Sequence, residues 1–187
     1  MKPNETRVEA LLELQSLDRV PRMGFALRGV TDPESVAEHS FHVATLVWAL
    51  ATEEPAVDAH RALELALVHD MAEVRTGDLP MTATRYFGAS VKASAERTAL
   101  DELLAPFGER AARFADEIEA RQTAEARFVK ACDKLQLMLK VTAYEQAGSR
   151  GLGEFWRNEA NFPSTEFTSV SRLFEELGSL RSSLGLA

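Results

Sequence analysis

The stretch from residue 66 to residue 87 concentrates side chains that bind metals or move protons. It places His69 directly before Asp70, adds Glu73 one helical turn later, and reaches Asp78 five residues further on. Residues three and four apart share one face of a helix, so Glu73 is expected beside the His69–Asp70 doublet. Adjacent residues point about 100° apart around a helix, so a cation bound by the doublet needs ligands from other segments.

Two distant residues are candidates for those ligands. His39 lies in a strong helical pattern over 35–53, and Asp133 lies in the longest such pattern, over 123–147. Each has an ordinary explanation when it is considered alone. A single histidine on an apolar face is usually a core residue with a hydrogen-bonding partner, and a helical aspartate is usually a charged residue of the helix surface. The histidine and carboxylates of the doublet region favour the metal-binding interpretation of His39.

Length and composition limit the class of protein. A chain of 187 residues with 45% hydrophobic and 27% charged residues is typical of one globular domain. The net charge of -8 argues against binding to a nucleic-acid polymer. The one cysteine, Cys132, excludes an internal disulfide and a Cys-rich zinc site. We find no apolar run of about 18 residues and no signal-peptide core, so we expect no membrane segment and a cytoplasmic location.

The hydrophobic patterns predict an all-α fold. No stretch alternates as a strand would, and the whole chain, 1–187, is expected to form a single domain. Its metal-site core spans about 35–147, and a C-terminal helix covers about 164–180. The expectations for the other segments are a core-facing helix over 6–17, an irregular connection over 18–40, a helix from about Asp58 through the doublet, and a loop over 81–90.

The connection over 18–40 has a composition that suits a phosphate and an aromatic ring. It carries three arginines and a phenylalanine among its glycines and prolines: Arg19, Arg22, Arg28 and Phe25. Long irregular connections are often functional. The ordinary alternative is that the arginines are solvated and the phenylalanine packs in the core.

Three sequence blocks resemble the HD-domain metal-dependent phosphohydrolases, an all-helical superfamily. They are SVAEHSFHVA around His39, HDMAEVRTGDLP from His69, and ACDKLQ around Asp133. A bare His-Asp doublet would be weak evidence, whereas the extended blocks look like the branch of bacterial 5'-deoxynucleotidases and HDDC-type proteins. The resemblance implies a single HD-domain helical bundle and a homodimer.

The same resemblance implies a role for each candidate residue. One divalent metal ion would be bound by two histidines and two aspartates: His39, His69, Asp70 and Asp133. Glu73 would act on the attacking water, and Asp78 would position that water or handle the leaving-group proton. Arg22 is the best match for the phosphate contact. Phe25 stands where many relatives have Trp, and it is expected to contact the nucleotide.

The chemistry of this set fits phosphate hydrolysis. Two imidazoles and two carboxylates suit Co, Mn, Fe, Ni or Zn and leave coordination positions for water and a phosphate oxygen. The leading hypothesis is hydrolysis of a nucleoside 5'-monophosphate, most simply a deoxynucleotide. The alternatives are hydrolysis of a triphosphate, cyclic diester or alarmone, and a nucleotide-binding regulatory module without turnover. The presence of Glu73 and Asp78 argues against the last, because pure binding needs no group that activates water.

Overall fold

The computed structural model describes residues 6–185, and this part of the chain is helical without a strand. A lone backbone bridge pairs Pro21 with Ser35. The α-helices are α1 (Arg7–Leu14), α2 (Met23–Ala26), α3 (Val36–Leu50), α4 (Ala59–Val68), α5 (Glu73–Thr76), α6 (Met81–Phe87), α7 (Ala89–Leu104), α8 (Glu109–Ala120), α9 (Ala124–Gln146), α10 (Gly153–Arg157) and α11 (Thr168–Ser183).

Side-chain caps start the helices that carry the candidate ligands. Ser35 caps α3 in a capping box with Glu38, whose carboxylate accepts a hydrogen bond from the Ser35 amide at 2.7 Å. Asp58 caps α4, and Thr123 caps α9 by accepting from the Ala126 amide at 3.2 Å. The caps fix where each helix begins, and the apolar residues of α3 decide its inward face, on which His39 is fully buried.

The main core forms where α3, α4 and α9 pack against one another. Fully buried side chains fill the space between them, among them Val47, Leu65, Phe128 and Leu135. Helix α11 covers α9 on its outer side through Val170. Within 6–185, no helix is long and apolar enough to cross a bilayer. The three packed helices place their polar residues at one edge of this core.

Helix α4 is shorter than its sequence predicts, because it ends at Val68 rather than running through the doublet. The ring of His69 donates a hydrogen bond from Nδ1 to the carbonyl oxygen of Ala66, with 2.7 Å between the two atoms. In a continued helix that oxygen would accept from the amide of residue 70. The side chain therefore competes with the helix, the chain turns, and α5 begins separately at Glu73.

Helix α1 does not face the core as expected. Val8, Leu11 and Leu12 are exposed to 65%, 51% and 66%, while Ala10 is buried. The neighbours of α1 include two short 3-10 segments, Gln15–Arg19 and Ala105–Phe107, and Arg75 of α5, which pairs with Glu13; the larger apolar side chains of α1 stay exposed. An apolar pattern predicts a helix but does not by itself show that a neighbour covers it.

The segment over 81–90 was expected to be a loop, and that expectation is wrong. Residues 81–87 form α6, Gly88 with a φ of +88° ends it, and residues 89–90 begin α7. No residue of α6 is buried, so the segment has no inward-facing apolar stripe to reveal the helix. The C-terminal helix, expected over about 164–180, is α11 and starts four residues later.

Candidate metal centre

Two imidazoles and a carboxylate converge at the edge of the core. One potential ligand atom from each of His39, His69 and Asp70 lies within 4.8 Å of the others. His39 Nε2 is 3.4 Å from His69 Nε2 and 3.4 Å from Asp70 Oδ2. His69 Nε2 is 3.3 Å from the same carboxylate oxygen. The structure thus brings α3 and the C-terminal end of α4 together at the doublet.

Asp133 reaches the same cluster from α9. Its Oδ1 lies 3.3 Å from His39 Nε2, and its Oδ2 accepts from Lys130 Nζ at 2.6 Å. Asp133 joins the group through His39. His39, His69 and Asp70 therefore converge, and Asp133 lies beside them through its contact with His39; the four come from α3, α9 and the turn after α4.

Both histidines are oriented by a hydrogen bond at Nδ1. The ring of His69 donates to the Ala66 carbonyl, as described above, and His39 Nδ1 lies 2.7 Å from Oε1 of Gln136. In each case Nε2 faces the other candidate ligands. Sequence reasoning missed Gln136. A buried amide one turn after Asp133, among leucines and Met138, was the signal that could have revealed it.

The electrostatics of the cluster suit a cation. Burial and Arg22 lower the pKa of His39, but hydrogen bonds to Asp133 and Asp70 outweigh them and raise it to about 9. Burial alone would raise the pKa of Asp70 and that of Asp133, yet both pKa values lie well below the usual value for an aspartate. For Asp70 the opposing cause is chiefly His69, and for Asp133 it is chiefly Lys130. A metal-bound imidazole is neutral, so a cation here would take the place of the proton on His39.

Glu73 adds a buried carboxyl beside the cluster. It is 4% exposed, and its Oε2 has no hydrogen-bond partner among the described residues. Burial, followed by the charges of Asp70 and Asp78, raises the pKa of Glu73 to about 10. A buried polar atom without a partner is uncommon, and a bound ion or ordered water commonly explains it. Together with the mixed N/O donors, this oxygen fits a divalent cation and its water.

Arg22 forms the other wall of the site. Its Nη1 lies 3.4 Å from Asp78 Oδ1 and 3.6 Å from Asp70 Oδ2, and its side chain is 13% exposed. Burial lowers the pKa of Arg22, but Asp78 and Asp70 raise it above its usual value. Asp78 also accepts from the Met23 amide at 2.7 Å through Oδ2. Asp78 therefore holds both the side chain of Arg22 and the start of α2.

A cavity of about 410 Å³ opens from this wall. Asp70, Glu73 and Asp133 lie at its metal end, and basic side chains line it: Arg22, Arg28, Lys92, Lys130, Lys134 and Arg157. Within residues 6–185, Lys92, Lys130 and Lys140 pair with carboxylates, whereas Lys134 has no ion-pair partner. Sequence reasoning missed Lys134, which lies one turn beyond Lys130 on α9.

The other candidates of the connection over 18–40 have partners or positions away from the candidate ligands. Phe25 lines the cavity, but it is only 1% exposed, and its ring packs 5.1 Å from that of Tyr144 and 5.3 Å from that of Phe155. Arg28 pairs with Glu154 at 2.7 Å. The Arg19 side chain is 86% exposed. Arg22 is thus the arginine of this connection that lies against the candidate ligands.

Comparison with known proteins places the chain in a family. The HD domain family matches residues 14–171, and the chain belongs to it. The family that the three sequence blocks predicted is confirmed, and so is the all-α HD fold.

Several similar proteins are named as 5'-deoxynucleotidases. The 5'-deoxynucleotidase HDDC2 of Xenopus laevis is 35% identical over 87% of this chain and 83% of its own length. The alignment with the Bos taurus protein of that name, also 35% identical, covers 69% of this chain and 63% of that relative.

Solved structures share the fold. A conserved hypothetical protein from Pyrococcus furiosus superposes with a TM-score of 0.78 and 32% identity, over 94% of this chain and 99% of that one. The HD phosphohydrolase DatZ of cyanophage S-2L, solved with dA and one catalytic Zn2+ ion, gives a TM-score of 0.59 and 25% identity, over 98% and 99%.

Proposed function

We propose that this protein is a metal-dependent 5'-nucleotidase that converts a deoxynucleoside 5'-monophosphate and water to a deoxynucleoside and phosphate. The observation that carries the proposal is the meeting of His39, His69 and Asp70 beside Arg22, at the end of a cavity of about 410 Å³. That volume lies in the usual range for small-molecule sites. The names of the relatives, and the dA bound to the DatZ structure, support the substrate class.

The candidate ligands would hold one divalent cation, with Co, Mn, Fe, Ni and Zn all compatible with the donor set: His39, His69, Asp70 and Asp133. When bound, such a cation supplies positive charge to the phosphate and lowers the pKa of water in its shell. Asp70 links the ligand cluster to Arg22, because its Oδ2, which faces the two imidazoles, is also 3.6 Å from Arg22 Nη1. The phosphate is therefore expected between the ligand cluster and Arg22.

Arg22 is the group that would bind the phosphate oxygens. Its guanidinium is preordered by Asp78 and Asp70, and a planar fork of donors suits a phosphate. Lys134 has no carboxylate partner within 6–185 and lines the same cavity, so its ammonium adds positive charge where the anion enters. These two side chains allow a protein of net charge -8 to attract an anionic substrate locally.

Glu73 is the general base of the proposed reaction, because a bound cation would offset the charges of Asp70 and Asp78 that help to raise its pKa and so return it to the carboxylate form. Its carboxylate accepts a proton from the attacking water while the new oxygen–phosphorus bond forms. The bond between phosphorus and the nucleoside 5'-oxygen breaks, and that oxygen takes a proton as it leaves. Asp78 is the candidate for delivering this proton or for positioning the water. Both oxygens of Asp78 also contact the segment that carries Arg22, so it aligns the phosphate as well.

Release of inorganic phosphate from paired substrates tests the proposal. The protein, stripped with a chelator and then supplied with Co2+, Mn2+ or Zn2+, is expected to cleave dAMP and to require the added metal. AMP tests whether the 2'-hydroxyl matters, and dATP and a cyclic dinucleotide test the alternative substrates. Absence of phosphate release from every monophosphate, with dAMP still bound, would instead identify a nucleotide-binding regulatory module.

The roles given above to the site residues are proposals, and three further expectations from the sequence also stay predictions. Phe25 is buried in the wall of the cavity against Tyr144, so a bound nucleotide would have to contact its ring from the cavity side. Light scattering on the purified protein tests the homodimer, and fractionation of the source cells tests the cytoplasmic location.

A further inference from the structure

The orientation of His39 depends on a side chain that is distant in the sequence. His39 is fully buried, and its Nδ1 lies 2.7 Å from Oε1 of Gln136, which is 3% exposed. The other candidate imidazole, His69, uses a main-chain oxygen three residues away. A main-chain acceptor is present whatever the local side chains are, whereas the acceptor for His39 exists only because residue 136 is an amide.

Glu34 determines which end of the Gln136 amide faces His39. Gln136 Nε2 donates to Glu34 Oε2 at 3.0 Å, and Lys140 Nζ lies 3.4 Å from the same oxygen. The ammonium of Lys140 can only donate, so Glu34 Oε2 acts as an acceptor and the NH2 end of the amide must face it. The carbonyl end is then left for His39, whose Nδ1 must be the protonated nitrogen. Nε2 consequently faces the other ligands, and it offers its lone pair to a cation that displaces its proton.

Glu34 is itself held firmly. It is 3% exposed, its amide donates to the hydroxyl of Tyr144 at 2.7 Å, and its carbonyl accepts from the Arg22 amide at 2.8 Å. His42 Nδ1 is a further 3.6 Å neighbour of Oε2. The residue that orients Gln136 therefore also fixes the main chain at the proposed phosphate-binding arginine.

We propose that Gln136 and Glu34 are a pair of positioning residues that keeps His39 Nε2 directed at the cation and ties this ligand to the segment that carries Arg22. Neither residue touches the candidate metal position or the substrate cavity. Their effect is exerted through His39, because without the Gln136 oxygen its Nδ1 would be left with Glu34 Oε1 at 3.9 Å, which is beyond hydrogen-bonding distance. Hydrogen bonds of this kind to a metal-binding histidine typically change metal affinity by about 10- to 100-fold.

Metal binding by Gln136 variants tests the pair. Gln136→Met keeps the length of the side chain and removes the acceptor, and it is expected to weaken Co2+ binding by about 10- to 100-fold in a chelator competition. The visible absorption spectrum of bound Co2+ should also change, because the His39 ring is free to turn. Gln136→Glu keeps an oxygen facing His39 and can donate one proton to Glu34, so it is expected to restore the affinity and the spectrum.

Thr142→Val is the matched control. Thr142 is equally buried on α9, and its hydroxyl bonds to the Met138 carbonyl, so this variant loses a buried hydrogen bond without touching His39. Its Co2+ affinity should match that of the unmodified protein. Unchanged Co2+ affinity in a folded Gln136→Met would overturn the proposal. So would a folded Gln136→Glu whose Co2+ affinity is lower than that of the unmodified protein by tenfold or more, and this comparison stays decisive if Gln136→Met does not fold.

Discussion

The two sides of the candidate site are built in different ways. On the metal side, His39 and Asp133 extend from α3 and α9, two long helices that share the main core, and their exposures are 0% and 8%. On the substrate side, Arg22 and Asp78 lie in irregular segments between helices, and Arg22 Nη1 is 3.4 Å from Asp78 Oδ1. The neighbouring α6 has no buried residue at all.

This difference separates what each side can control. The positions of His39 and Asp133 follow from the packing of α3 and α9 in the main core, so a substitution on the substrate side should leave them in place. The position of the phosphate-binding group follows from a few polar contacts between turns. Variants on the metal side should therefore alter metal affinity, and variants on the substrate side should alter the KM while leaving metal affinity intact.

Glu73 lies between the two sides, and its replacement should have the largest effect on turnover. Glu73→Gln is expected to lower kcat by about 10²- to 10⁴-fold, because the carboxylate that accepts the water proton is lost. Co2+ affinity, measured by chelator competition, should stay near that of the unmodified protein. Glu102→Gln, which alters a carboxylate that pairs with Arg75 away from the site, is the control. Full activity in Glu73→Gln would remove Glu73 from the mechanism.

On the metal side, Asp133→Asn tests whether α9 supplies a ligand. A neutral amide oxygen is a much weaker ligand than a carboxylate, so the loss of Co2+ affinity should exceed the roughly 10- to 100-fold that an outer partner costs. Activity should return in part at high Co2+ with the KM for dAMP little changed. If Asp133→Asn binds Co2+ as the unmodified protein does, the site is limited to His39, His69 and Asp70.

On the substrate side, Arg22→Gln is expected to raise the KM for dAMP by roughly 10- to 100-fold, since a hydrogen bond to a charged group contributes about 1.5–3 kcal/mol. Co2+ affinity should change much less. Arg19→Gln is the matched control, because Arg19 belongs to the same connection but its side chain is 86% exposed. An equal rise in KM for both variants would indicate general electrostatic attraction instead of a specific phosphate contact.

The sequence predicted the metal side better than the substrate side, for physical reasons. Strong apolar periodicity identified α3 and α9, and the residues around His39 and Asp133 resembled known blocks. The pairing of His39 with Gln136 joins residues 97 positions apart, and one sequence does not reveal such a contact. The end of α4 was missed because it depends on a side chain taking a main-chain oxygen from the helix.

The substrate side was harder to predict because apolar patterning says little about turns. The composition of the connection over 18–40 suggested three arginines for the phosphate, and the structure places Arg22 against the candidate ligands. Phe25 has the right residue type for a nucleotide contact, but its burial against Tyr144 depends on packing between distant segments.

Metal affinity should also depend on pH, which sharpens the contrast between the two sides. Hydrogen bonds to Asp133 and Asp70 hold the pKa of His39 at about 9 against burial and Arg22, and the cation must displace that proton. Because one proton is exchanged, Co2+ affinity should rise about tenfold per pH unit up to roughly pH 9 and then level off. Chelator competition at several pH values measures the slope. A flat profile between pH 6.5 and 8.5 would show that His39 is already neutral.

Lys134 should give the smallest effect, because it adds charge to the substrate side without a defined contact. Lys134→Met is expected to raise the KM for dAMP by a few-fold, in line with the roughly 1 kcal/mol or less that a partly solvated charge contributes. Salt screens such interactions, so the difference from the unmodified protein should shrink at high ionic strength. A rise as large as that of Arg22→Gln, and insensitive to salt, would instead identify Lys134 as a direct phosphate ligand. The substrate side would then extend onto α9, the same helix that carries Asp133.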